Sequence, residues 1–120
     1  LTMHLKNMSA LDSLAKGTAN KKEMDICIGV INVAEALCEL GVGSEYHQLV
    51  LDASSALYDV CNRSFEINDR FVCKGEELSR IKTGYEVHDA QMEVTTLAML
   101  DRALDLIDKT IRAKKAKVIV

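Results

Sequence analysis

Two groups of side chains in this sequence have the types and spacing that chemistry requires. The first is Glu86, His88, Asp89 and Gln91, where two carboxylates, an imidazole and an amide crowd into one short segment. Such a set could hold a divalent ion or shuttle a proton for a hydrolytic reaction. The second is Asp25, Gly29, Asn32, Glu35 and Glu39, which with Ala36 fall inside an arc of about 120° when wound at about 100° per residue. That stripe has carboxylates and an amide but no activated nucleophile. Gly29 and Ala36 would instead let a partner approach closely, with Asn32 giving directional hydrogen bonds and Asp25 and Glu39 meeting basic groups.

The spacing argues against an assembled catalytic centre. A di-metal carboxylate bundle uses Glu-x-x-His pairs that project from one helix face. Here Glu45 and His47, and Glu86 and His88, stand two apart and diverge on a helix. His88 falls on an apolar stripe beside Asp89 and reads as a core histidine bonded to a neighbour. No His-Glu-x-x-His, no phosphate-binding glycine loop and no Gly-x-Ser-x-Gly occurs. Cys27, Cys38, Cys61 and Cys73 form no Cys-x-x-Cys pair, and no histidine lies at zinc-finger spacing. These observations predict no catalytic residues, no metal, no cofactor and four reduced thiols.

The elements that position these groups are helical. With no proline, no tryptophan and few alternating runs, the 120 residues predict an all-α domain spanning 1–120. Its centre is the segment 21–40, apolar on all but its one polar stripe and therefore wrapped by other helices. The full expectation is five helices, at 1–16, 21–40, 45–64, 76–93 and 96–114. Asn20 with Glu23 forms a capping box, Gly17 and the Gly41-Val42-Gly43 run terminate helices, and Ser44 and Thr95 or Thr96 supply caps. Asn68-Asp69 marks a turn, and Phe71 and Val72 tuck the following loop onto the core. The expected core comprises Ile28, Ile31, Leu37, Leu57, Val60, Leu78, Ile81, Leu100, Leu104 and Ile107.

Charge is uneven. The net charge is −3, yet the tail 109–120 carries five basic residues and no acid, leaving residues 1–108 with 10 basic and 18 acidic groups, or −8. An acidic body disfavours a nucleic-acid partner held through phosphates, and the basic tail suits a helix C-terminus. The apolar Val118-Ile119-Val120 could dock on the body or on another chain. No bilayer-spanning stretch and no signal peptide is visible, and the sequence opens at Leu1, which leaves residues upstream an open question.

Several signatures occur in order: INVAEAL at Ile31–Leu37 followed by Gly-Val-Gly, DASSAL at Asp52–Leu57, Arg63, FVCKGEEL at Phe71–Leu78 and HDAQM at His88–Met92. Over roughly 15–112 this resembles a family of small helical proteins of unassigned function encoded in phages and prophages of proteobacteria. The chain departs from that family at Phe71-Val72-Cys73-Lys74, where the family favours Trp-x-Leu-Thr, so a role for the tryptophan does not carry over. The resemblance implies a bacterial cytoplasm as the setting. The leading expectation is a non-enzymatic binding protein, a homo-oligomer, that targets or inhibits a host macromolecule such as a defence complex. The alternatives are a homo-oligomer that sequesters a nucleotide signalling molecule, and a metal-dependent hydrolase using His88, Asp89 and Glu86. The expected binding surface is Asp25, Gly29, Asn32, Glu39, Glu86, His88, Asp89 and Gln91.

Overall fold

A computed structural model describes residues 2–66 and 71–119, with side chains over 3–64 and 71–114. It contains α1 (Thr2–Ala15), α2 (Lys21–Glu39), α3 (His47–Glu66), α4 (Gly75–Val94) and α5 (Leu97–Ile119), with a single 3-10 turn at Ser44–Tyr46 before α3. The fold is all-α, and the described residues form no strand. The expected Asn68-Asp69 turn lies outside the described residues, as do the side chains of Val118, Ile119 and Val120.

Local chemistry explains most boundaries. Asn20 Oδ1 accepts from the Glu23 amide at 2.8 Å while Glu23 Oε1 accepts from the Asn20 amide at 3.1 Å, so two otherwise orphaned donors start α2. Gly17 and Gly41 adopt φ of 72° and 95°, which side-chain-bearing residues avoid. Around them, Thr18 N–H donates to Ser13 O at 2.9 Å and Val42 N–H to Leu37 O at 2.8 Å, closing α1 and α2 with the same wrapped-back geometry. Thr96 caps α5 by accepting from the Met99 amide. Ser44 differs from expectation: its hydroxyl donates to Cys38 O at 2.8 Å, tying the turn back to α2 instead of capping α3. The basic segment after Lys109 continues α5 as far as Ile119 and is no separate tail.

Helix α2 packs against all four other helices, and α3 and α4 pack most extensively on each other. The molecule is only 26 Å along its shortest axis, the depth of about two helix layers. The main cluster joins Leu11, Leu14, Met24, Cys27, Ile31, Val50, Ala53, Leu57, Val60 and Ile81. A smaller one forms where α5 crosses α2 at Ala36 and Ala103, with Leu37 beneath. Of the expected core, Ile31, Leu37, Leu57, Val60 and Ile81 are buried, whereas Ile28, Leu78, Leu100 and Ile107 are half-buried. Leu104 is 50% exposed and is a correction. Among the described residues α5 packs mainly on α2, so Ala103 is buried and Leu106 and Ile107 pack beside it, while Leu97, Leu104 and Ile111 stay exposed.

Gly84 makes the α3–α4 contact close. A Cβ there would stand 2.6 Å from Ala53 Cβ and 2.7 Å from Ile31 Cδ1, inside any tolerable contact. Two further links hold α4 in register. Tyr85 donates its hydroxyl to Asn7 O at 2.9 Å, binding α4 to α1. Arg63 near the end of α3 reaches Glu77 on the first turn of α4, with Nη1 to Oε2 at 2.9 Å.

Candidate functional site

The stripe expected to be one surface on α2 is divided by α5. Ala36, expected to admit a partner, is 4% exposed because Ala103 of α5 lies over it. The close approach is therefore intramolecular at this position. On one side of the crossing, Gly29 lines a groove with Met3, His4, Asn7, Ile26, Val30, Val33, His88, Met92, Leu100 and Leu104. On the other side, Asn32, Glu35, Ala36 and Glu39 face Leu106, Ile107, Thr110, Ile111 and Lys114 across a smaller groove. Asn32 stands on the rib between this groove and a third one, lined by Ile28, Leu57, Tyr58 and Cys61. Asp25 is exposed near the start of α2.

The Gly29 groove is the largest apolar concavity among these, about 410 Å³. Its walls come from four helices, and its floor is bare because Gly29 has no side chain there. A Cβ at Gly29 would meet nothing within 4 Å, so the space is real and unshared with neighbouring atoms. His88, with His4 and Asn7 of α1, contributes the polar groups of this mainly apolar lining. Burial holds its pKa below the usual value, against the opposing pull of Asp89, so the ring is neutral at pH 7. Asp89, half-exposed, lies 3.8 Å from His88 Nδ1 and 3.9 Å from His4 Nδ1. One carboxylate thus stands between two imidazoles.

The four residues expected to act together on α4 separate. Glu86 is exposed, His88 faces the groove and Asp89 lies beside it. Gln91 is 3% exposed and serves the fold. Its Nε2 donates to Ala34 O at 3.0 Å and to Val42 O at 2.9 Å, fastening α4 to the last turns of α2 and the turn beyond. Two carbonyl acceptors fix which way the amide points, and its Oε1 is left buried without a partner. Glu86, His88 and Asp89 do not converge as metal ligands. The one grouping of three such residues among the described side chains is Glu35, Glu39 and His47.

The thiols offer no nucleophile. All four cysteines are free. Burial raises the pKa of Cys27, Cys38 and Cys61, and pushes Cys73 up to about 11, so each stays protonated at pH 7.

The α1 and α5 walls of the groove, Met3, His4, Asn7, Leu100 and Leu104, were not legible as site residues. The periodicity of Leu100 and Leu104 reads as core, Met3, His4 and Asn7 fall off the apolar stripe of the first helix, and only the packing of α5 shows that Leu104 is left exposed. The Glu35–Glu39 pair did leave a trace, as Glu-x-x-x-Glu on one helix face, with a histidine just beyond the following turn. Among the described residues no helix is long and apolar enough to cross a membrane. No known family model, curated protein or solved structure matches the chain.

Proposed function

We propose that this chain is a non-enzymatic binding protein whose Gly29 groove receives an apolar segment of a bacterial host protein. The observation that carries the reading is the groove itself: about 410 Å³, walled by apolar side chains of four helices and open to backbone at Gly29. Concavities of this size and lining suit the insertion of one or two anchoring side chains. Met3 and Leu104 in the lining are 73% and 50% exposed, apolar area that a partner would cover. The charge of −8 over residues 1–108 favours a segment in which Lys or Arg flanks the apolar anchor. Protonated thiols and the dispersed Glu86, His88 and Asp89 give no support to turnover. The resemblance of Ile31–Leu37 and His88–Met92 to phage-encoded proteins makes a host defence complex the reasonable class of target.

Gly29→Leu tests this directly, since the new side chain would fill the groove without striking its neighbours. The partner enriched from host lysate by the unmodified chain, once purified, should bind it at least about tenfold more tightly than the variant, a difference of about 1.4 kcal/mol. Tyr58→Ser, exposed and lining a different groove, should bind normally. Equal affinity of the purified partner for Gly29→Leu would remove the groove from the reading. A doubled mass in sedimentation, abolished by Gly29→Leu, would show a second copy of the chain in the groove in place of a host protein.

A further inference from the structure

We infer that Glu35, Glu39 and His47 form a binding site for a divalent transition-metal ion, separate from the Gly29 groove. One potential ligand atom from each residue lies within 4.8 Å of the other two. Bonds of about 2.0–2.2 Å to an ion would draw such a set together through small rotamer changes. Glu35 and Glu39 are one turn apart on α2, and His47 is the first residue of α3. The intervening turn is held in place by Ser44 on Cys38 O and by Gln91 on Val42 O. The three donors are therefore presented by fixed backbone.

Two independent features point to a cation. Nε2 of His47 is sealed from solvent and has no hydrogen-bond partner, an arrangement that wastes a strong polar atom unless something binds it. Separately, Glu35 and Glu39 repel one another at (i, i+4), and both sit in the last turns of α2, where the helix dipole already places negative charge. The last turn contains no basic residue, and neither carboxylate belongs to any described ion pair. A bound divalent ion would satisfy the imidazole and neutralise both acids together.

The donor set selects the ion. An imidazole with two carboxylates favours Zn²⁺ and its first-row neighbours over Ca²⁺ and Mg²⁺, which prefer oxygen alone. Three protein ligands leave at least one position for water or an anionic group. The adjoining groove, where Lys114 and Thr110 face the two glutamates, is the side from which that fourth ligand would come. By joining α2 to α3, the ion would also brace the turn that Gln91 supports.

Titrating Zn²⁺ alone into the chelator-treated 120-residue chain, followed by calorimetry and thermal unfolding, tests the assignment. One equivalent should bind and raise the unfolding midpoint. His47→Ala should abolish binding, and Glu39→Gln should weaken it by at least the roughly 10–100-fold that loss of a supporting group costs. Glu39 is exposed, so its variant keeps the test decisive if His47→Ala fails to fold. Substituting Co²⁺ distinguishes the thiols, because cysteine ligation adds sulfur charge-transfer absorption that a glutamate–histidine site lacks. Absence of binding at millimolar Zn²⁺, or binding unchanged in both variants, would overturn the proposal.

Discussion

Arg63 and Glu77 form a two-pronged ion pair that fixes the end of α3 against the start of α4. Nη1 of Arg63 donates to Glu77 Oε2, while Nη2 donates both to Glu77 Oε1 and to Val72 O. The same Oε1 accepts the Lys74 amide at 2.8 Å, so Glu77 also caps its own helix. One buried carboxylate thus joins two helices and the loop between them.

Those bonds set an acid limit on stability. The Arg63 guanidinium holds the Glu77 pKa below its ordinary 4.5, with the Lys74 amide helping against burial. A lowered folded value means that the stabilisation is complete above the unfolded value and is lost as pH falls through the folded one. Unfolding in urea from about pH 6 to about pH 3 should show this loss beginning near 4.5. Glu77→Gln should cost about 1–3 kcal/mol at neutral pH, by leaving Arg63 without its charge partner. It should also flatten the acid limb. An unchanged limb would show that another carboxylate governs it.

His88 should act in a higher pH window. Its folded pKa lies below the ordinary 6.5 because the ring is buried, so the stability tied to its neutral form is complete above 6.5 and declines as pH falls through the folded value. The flanking charges, Asp89 and His4, oppose each other in this effect. In His88→Leu, stability between about pH 7 and about pH 5 should lose this slope while the Glu77 step below it remains. Nuclear magnetic resonance titration of the three histidines would locate the depressed ring without perturbing it. A normal or raised value at His88 would contradict its burial in the groove lining.

Two glycines in helix interiors should respond in opposite senses. Gly29→Ala meets no atom within 4 Å and should stabilise the protein by about 0.5–1 kcal/mol through helix propensity. Gly84→Ala must displace Ala53 or Ile31 and should destabilise it by about 1–3 kcal/mol. Denaturation midpoints of the two variants, measured side by side, check both. A Gly84→Ala variant stabilised like Gly29→Ala would show that the crossing is looser than the structure has it.

The helices, the Asn20 and Thr96 caps and the central place of α2 were legible in the sequence, whereas Ser44 does not cap α3 and the Glu77 cap of α4 carried no recognised signal. The legible features rest on local interactions or on periodicity: Asn20 with Glu23, Gly17, Gly41, and an apolar surface on α2 too wide for fewer than several neighbours. The sequence also marked Ile31, Leu37, Leu57, Val60 and Ile81 as buried, since each lies on the face its helix must hide.

Which polar and small residues face a neighbour depends on packing between helices and could not be read from one helix at a time. Gly29 and Gly84 both lie in helix interiors, yet one opens onto a groove and the other touches Ala53, because helix crossings depend on side chains far apart in the chain. Ala36 and Ala103 set where α5 crosses α2, and that crossing divides a continuous polar stripe into two grooves. Gln91 and His88 lie one turn apart on α4, but carbonyls of Ala34 and Val42 claim the first while the second is left facing a concavity. Glu35, Glu39 and His47 meet only because the turn at Gly41–Tyr46 reverses the chain with a fixed geometry. Periodicity records which side of a helix is apolar, and carries no information about what the opposite helix presents to it.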